Sequence, residues 1–279
     1  MNPYTLPDAE LERLLGEDLP AGDATTHALA IGDCHGRLEF HARFEMVVCG
    51  SEEARRLGEL RGLAAVGAAV ASGTALAAGD RILTLEGKAA ALHAVWKTAQ
   101  TLMEYLSGIA TATAGIVAAA RAGNPDCSVV CTRKNFPGTK AAAIKAILAG
   151  GASPHRLSLS ETLLVFAEHR AFLSETPAQT LARLRRRWPE RPVVVEVADE
   201  NEALAWADAD ILQLEKWPAL TVDRLQRQIP GTRLAAAGGI SAANAADYAR
   251  AGAAILVTSA PYFAVPRDVA VTLSALPAA

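Results

Sequence analysis

The run Val193-Val194-Val195-Glu196-Val197, followed by a helical stretch over Glu200–Ala207 and then by Ile211-Leu212-Gln213-Leu214, decides the fold. It is one step of a rhythm that fills the second half of the chain. Strand-like apolar segments also stand at Ser128–Cys131, Leu163–Phe166, Leu234–Ala237 and Ile255–Val257. Helical segments at Ala141–Leu148, Pro177–Trp188, Thr221–Ile229 and Ser241–Ala251 fall between them. Strand and helix alternating at this interval indicate βαβ units and a parallel sheet. Six such strands are too few for an eight-stranded barrel, so the expectation is an open, incomplete parallel α/β barrel. Its site should lie at the C-terminal ends of the strands.

The first hundred or so residues read differently, as α+β. Asp8–Leu15 carries Leu11, Leu14 and Leu15 on one helical face. Leu38, Phe40, Ala42 and Phe44 alternate with polar residues, as in a half-buried strand. Ser51-Glu52-Glu53 starts a helix with an N-cap and an acidic first turn. Ile82–Leu85 is another strand, and a long helix follows from Lys88 to Leu106, with Ser107-Gly108 as its stop.

The chain has 279 residues, 51% of them hydrophobic and only 5% aromatic, so alanine, valine and leucine must fill a large core. A net charge of −3 argues against a nucleic-acid binder, which would show a basic excess. Cys34, Cys49, Cys127 and Cys131 form no CxxC pair and have no zinc-ligand spacing, which suits reduced thiols in a cytoplasmic protein. The N-terminal residues lack a basic-then-apolar signal pattern, and the apolar run Leu63–Ala78 is too short and too interrupted to span a membrane.

The strand ends carry a consistent set of polar groups. Arg133 and Lys134 come after the first strand, Glu196 sits near the end of the third, and Glu215 and Lys216 come after the fourth. The fifth leads into Gly238-Gly239 with a helix expected near Ser241, and the sixth into Thr258 and Ser259. A Gly-Gly turn opening a helix at the second-last strand suits a phosphate. A ligand-free tight turn would use the same two glycines. A second cationic pair, His155-Arg156, lies after Gly150-Gly151. Glu196, in the middle of valines, needs a partner or a cation. Cations for anionic groups, two carboxylates for a sugar or metal ion, and a phosphate turn suit a sugar phosphate reacting at its anomeric carbon. The Arg183–Arg187 run reads as the solvated face of a helix.

At these residues the chain resembles the quinolinate phosphoribosyltransferase (nicotinate-nucleotide pyrophosphorylase) family. The resemblance rests on Glu17-Asp18-Leu19 with Gly22-Asp23-Ala24-Thr25, Leu106-Ser107-Gly108-Ile109-Ala110-Thr111, Thr132-Arg133-Lys134 with Pro137-Gly138, Gly150-Gly151 with His155-Arg156, Val195-Glu196-Val197, and Gly238-Gly239-Ile240. It implies an N-terminal α/β sandwich domain over 1–107, joined by the tail 268–279, and an open α/β barrel over 108–267. It also implies a homodimer, or a higher oligomer, with shared sites. The implied reaction displaces pyrophosphate from phosphoribosyl pyrophosphate (PRPP) with Mg²⁺ and no tightly bound organic cofactor. By position, Arg133, His155 and Arg156 would hold the acceptor's carboxylates and Lys134 would contact PRPP. Glu196 and Glu215 would meet its ribose or metal, and Gly238, Gly239, Thr258 and Ser259 its 5-phosphate. Lys97 stands where the family has an arginine reaching into the neighbouring subunit.

The departures narrow the acceptor. Phe166 replaces a lysine of the family's second barrel strand, Glu215-Lys216 an Asp-Asn, Asn135-Phe136 a Thr-Thr, Pro154 an asparagine, and Ala235 and Ala237 a glutamate and a serine. Losing one charged hydrogen bond costs roughly 1.5–3 kcal/mol, about one to two decades in affinity. A doubly charged acid should therefore bind poorly unless Lys216 or Lys140 compensates. The pattern resembles the ModD branch of the family, associated with molybdenum transport. Three alternatives stand beside a phosphoribosyltransferase with a changed acceptor: an ordinary quinolinate phosphoribosyltransferase, a non-catalytic nucleotide- or oxyanion-binding protein, and an aldolase-like barrel with Lys134 as Schiff-base nucleophile.

Overall fold

The computed structural model describes residues 5–277. Within them the chain divides into two compact units, one built from residues up to 114 with 136–151 and from 261 onward, the other from 115–135 and 152–260.

In the first unit, helix α1 (Asp8–Asp18) buries Leu11 and Leu15, and α2 (Ala24–Ala28) is capped by Asp23, which accepts from the Thr25 and Thr26 amides. Strand β1 (His35–Ala42) buries Leu38, Phe40 and Ala42 on one face. It ends there, so Phe44, expected inside the strand, lies beyond it and is exposed. After the short β2 (Met46–Val47), helix α3 (Ser51–Glu59) starts on Gly50, whose φ of 94° only glycine adopts without strain. Ser51 is not the cap: its hydroxyl donates to the Val70 carbonyl. β3 (Ala64–Ala65), β4 (Ala75–Leu76) and β5 (Arg81–Lys88) follow, and the last outruns the expected four residues at both ends. An antiparallel sheet runs β13-β1-β5-β3, where β13 (Val269–Ala275) returns from the end of the chain to pair with β1.

Helix α4 (Ala89–Gly123) overturns one expectation. It passes through Ser107-Gly108 without stopping. The Ser107 hydroxyl accepts the Cys49 amide at 2.9 Å, and a Cβ on Gly108 would lie 2.6 Å from the Val265 carbonyl oxygen. Both residues answer to close neighbours, not to a helix end. The helix packs Leu92, Val95, Ala99 and Met103 into one core with Leu57, Leu38, Phe40 and Leu85. Helix α5 (Lys140–Ala149) also belongs to this unit. Its Lys145 is fully buried and donates to Glu53 at 2.5 Å and to Glu52 at 2.9 Å.

The second unit holds the expected alternation: β6 (Ser128–Cys131), β7 (Ser153–Pro154), β8 (Leu163–Val165), α6 (Ala167–Arg170), α7 (Pro177–Arg187), β9 (Val193–Val197) and α8 (Glu200–Ala205). Then come β10 (Ile211–Glu215), α9 (Ala219–Gln228), β11 (Arg233–Ala237), α10 (Ala245–Arg250) and β12 (Ile255–Thr258). The strands form one parallel sheet in the order β7-β6-β12-β11-β10-β9-β8. The end strands β7 and β8 do not pair, so the barrel is open, with the two-residue β7 as a seventh strand beyond the six expected. The arginine run on α7 is a solvated face: Arg183 pairs with Glu175 and Arg185 with Asp210.

Candidate active site

The C-terminal ends of the parallel strands surround a cavity of about 800 Å³. Each strand delivers polar groups to it because the last side chains of the strands and the loops that follow them meet at this rim. Arg133 and Lys134 come just after β6, His155 and Arg156 just after β7, Phe166 just after β8 and Glu168 from α6. Glu196 stands on β9, Gln213 and Glu215 on β10 with Lys216 next to them. Gly238 and Gly239 follow β11, and Thr258 and Ser259 close β12. Of the residues singled out in the sequence, Lys97 and Lys140 are not part of this lining. Both belong to the first unit, where Lys97 lies over the Trp96 ring at 4.7 Å and donates to Gln100.

One end of the sheet supplies the cations. Burial first and the neighbouring Arg133 second pull the Arg156 pKa down, so two guanidinium groups share a pocket that an anion would relieve. The Arg156 guanidinium lies 5.7 Å from the centroid of Phe166, whose ring stacks on His169 at 5.8 Å. His155 is different. Burial, reinforced by Arg156, lowers it to about 4, so at neutral pH it offers a hydrogen bond without charge.

The other end supplies carboxylates. Glu196 and Gln213 are register partners across β9 and β10, and Glu215 lies two residues beyond Gln213 on the same face. Burial pushes the Glu196 pKa up, the Gln213 amide opposes this with a 2.7 Å hydrogen bond, and Glu215 and Glu168 raise it further. Gly238, at φ 81°, sits so close to this group that a Cβ there would meet the Glu215 Oε1 at 2.7 Å and the Lys216 Cγ at 2.6 Å. Lys216 itself holds φ at 61°, an uncommon conformation for a side chain of its size, fixed by its amide donating to the Ala237 carbonyl.

The phosphate turn departs from expectation. No helix opens at Ser241: residues 242–244 form a turn and α10 begins at Ala245, only six residues long. Asn244 explains the delay, accepting the Ser241 amide and donating to the Gly239 carbonyl. A phosphate here would rest on the backbone of two consecutive left-handed glycines, without help from a helix dipole. Thr258 is buried and its hydroxyl donates to the Ile240 carbonyl at 2.8 Å, so it ties the loop in place.

Among the described residues no cluster of three or more His, Cys, Asp or Glu side chains is assembled for a metal. Two carboxylates still suit Mg²⁺ carried on a polyphosphate, since that ion takes one or two protein carboxylates and keeps substrate oxygens and water. Sequence reading passed over Gln213. Its signal is a polar residue two positions before Glu215 in an apolar strand, which period-2 alternation turns to the same face.

Family models for the quinolinate phosphoribosyl transferase N-terminal and C-terminal domains match residues 23–107 and 109–272. The chain is 48% identical to the pyrophosphorylase ModD of Rhodobacter capsulatus over 89% of its own length and 98% of that protein. It is 38% identical to the pyrophosphorylase ModD of Escherichia coli, covering 96% and 97%. In structure it is similar to the nicotinate-nucleotide pyrophosphorylase from Francisella tularensis, with a TM-score of 0.88 at 22% identity over 97% and 98% of the two chains.

Proposed function

Because the chain belongs to the quinolinate phosphoribosyl transferase family, we propose that it transfers the phosphoribosyl group of PRPP to a ring nitrogen of a carboxylated heterocycle. The observation that supports this is a single cavity with Arg133 and Arg156 toward one end of the strand order and Glu196 and Glu215 toward the other. The nitrogen lone pair forms the new bond to the anomeric carbon while the bond from that carbon to the pyrophosphate oxygen breaks, and the electron pair leaves with pyrophosphate. Arg133 and Arg156 hold the acceptor's carboxylate, and neutral His155 donates a hydrogen bond beside them. Lys134 and Lys216 draw the pyrophosphate, and Glu196 and Glu215 face the ribose and the positive charge that develops on it. Gly238, Gly239 and Ser259 take the 5-phosphate, with Thr258 bracing their loop. Mg²⁺ would neutralise the leaving group, held by Glu196 and Glu215.

The acceptor in this reading carries one carboxylate. Phe166 sets an apolar ring against Arg156, leaving two guanidinium groups and an uncharged imidazole to face it. Quinolinate should bind one to two decades more weakly than a monocarboxylate of similar shape. We further propose a cytoplasmic homodimer in which Lys97 and Lys140 complete the partner's site, without nucleic-acid or membrane partners, acting in connection with molybdenum transport. Pyrophosphate release from PRPP with Mg²⁺ across pyridine mono- and dicarboxylates tests the reaction. Activity should vanish in Glu196→Ala and Lys134→Ala. Ordinary turnover with quinolinate would replace this acceptor by that one, and absence of PRPP binding by calorimetry would favour a non-catalytic binding protein.

A further inference from the structure

Gln213 occupies an odd position for an amide. It is 5% exposed, and its register partner on β11 is the apolar Ala235. Its Nε2 donates to Glu196 Oε2 at 2.7 Å, while its Oε1 is buried and has no hydrogen-bond partner among the described residues. A residue selected for packing would be leucine or methionine here, because a half-satisfied buried amide is worse than an apolar side chain. The one bond it makes therefore explains its presence. That bond also fixes the amide's orientation: an ionised carboxylate only accepts, so a flip would set Oε1 against another acceptor.

We propose that Gln213 is a positioning residue for Glu196, holding its carboxylate in one rotamer at the mouth of β9. The inference rests on the phosphoribosyl-transfer reading for the use of Glu196, although not for the interaction itself. The groups facing Glu196 make such a device necessary. Glu215 on β10 and Glu168 on α6 repel its charge, Arg170 on α6 attracts it more weakly, and burial disfavours the ion outright. The Gln213 amide is the hydrogen-bond donor that turns toward the carboxylate from the adjacent strand. Without it, the Glu196 carboxylate would lose the fixed acceptor geometry that a pentose hydroxyl needs.

The test compares the full-length protein with Gln213→Met and Gln213→Leu, which keep volume and remove the donor. The Glu196 rotamer is read from crystal structures of the parent and both variants, and Mg²⁺-PRPP affinity is measured by calorimetry at pH 7.5. Both variants should release the Glu196 carboxylate into another rotamer or several, and PRPP affinity should fall about tenfold, the worth of one charge-assisted hydrogen bond. Their melting temperature should equal or exceed that of the parent, since an unpaired buried oxygen is removed. An unchanged Glu196 rotamer in a folded variant would overturn the proposal. Absent PRPP binding in the parent together with a displaced Glu196 carboxylate in the variants would instead retire the phosphoribosyl-transfer reading and leave the positioning of Glu196 standing.

Discussion

At His155 and Lys145 burial acts on single titratable groups with opposite outcomes. His155 has no acid beside it to compensate its burial, and Arg156 adds repulsion, so its pKa falls from 6.5 to about 4. In the unfolded chain it titrates near its ordinary value. Between about pH 6.5 and 4 the unfolded state therefore binds the extra proton, and stability falls as pH falls through that window. The whole drop amounts to about 3 kcal/mol. Urea titrations at pH 7 and pH 5 should show His155→Gln losing distinctly less stability than the parent over that interval. Equal losses would mean that the imidazole is not shielded. Lys145 is buried too, which by itself lowers its pKa, but Glu53 and Glu52 outweigh the burial and raise it. Lys145→Met would leave Glu53, itself buried and accepting the Leu6 amide, without its cation. Breaking a buried pair from one side costs about 3–5 kcal/mol. A chemical-denaturation midpoint within error of the parent would contradict that assignment.

At the scale of elements, the parallel alternation was readable from residues 128–258 because each strand is a short apolar run between helical segments, and the observed strands start or stop within two residues of those readings. Three of the readings that failed share one cause. Ser51, Ser107 and Gly108 carry local signals for a cap or a stop, and in each case a residue distant in sequence overrides the signal: Val70, Cys49 and Val265. The helix expected at Ser241 failed through Asn244, a side chain that satisfies the turn and delays the helix by four residues. The site was legible for the same reason as the sheet, since strand ends point to a common rim. Gln213 escaped because one polar residue in a strand looks like noise until its register partner is known to be Glu196. Helix α4 offers a direct test of local against tertiary control. Gly115 meets only the Ala242 Cβ at 4.0 Å, so Gly115→Ala should follow helix propensity and stabilise by about 0.5–1 kcal/mol. Gly108→Ala in the same helix must displace the Val265 carbonyl and should destabilise by about 1–3 kcal/mol despite the same gain in propensity. Thermal unfolding of the two variants with the same sign would refute this account of Gly108.

At the scale of the molecule, the first unit is assembled from distant parts of the chain. Residues up to 114 lay down α1 to β5 and most of α4, 136–151 contribute α5, and the final segment supplies β13. Strand β13 pairs with β1 over seven residues, from Val269 opposite Ala42 to Ala275 opposite Gly36. It is also tied to α4: the Gln100 side chain donates to the Val269 carbonyl at 2.8 Å, and Glu104 accepts the Val269 amide at 3.1 Å. Val269 is fully buried in the main core of this unit. A chain ending at Arg267 would lose that side chain, worth about 1.5–3 kcal/mol on its own. It would also leave β1 as an open edge, with Leu38 and Phe40 no longer covered along the strand by Leu273 and Val271. Exposed edge strands recruit other chains, so the truncated protein should partition into the insoluble fraction or melt well below the parent. Val269→Asp, which keeps every backbone pair and places a charge in the core, should cause a comparable loss of melting temperature without opening the edge, and so stay soluble at low temperature. If both variants remain soluble with the parent's melting temperature, the first unit does not depend on the chain's return, and its core is complete by residue 151.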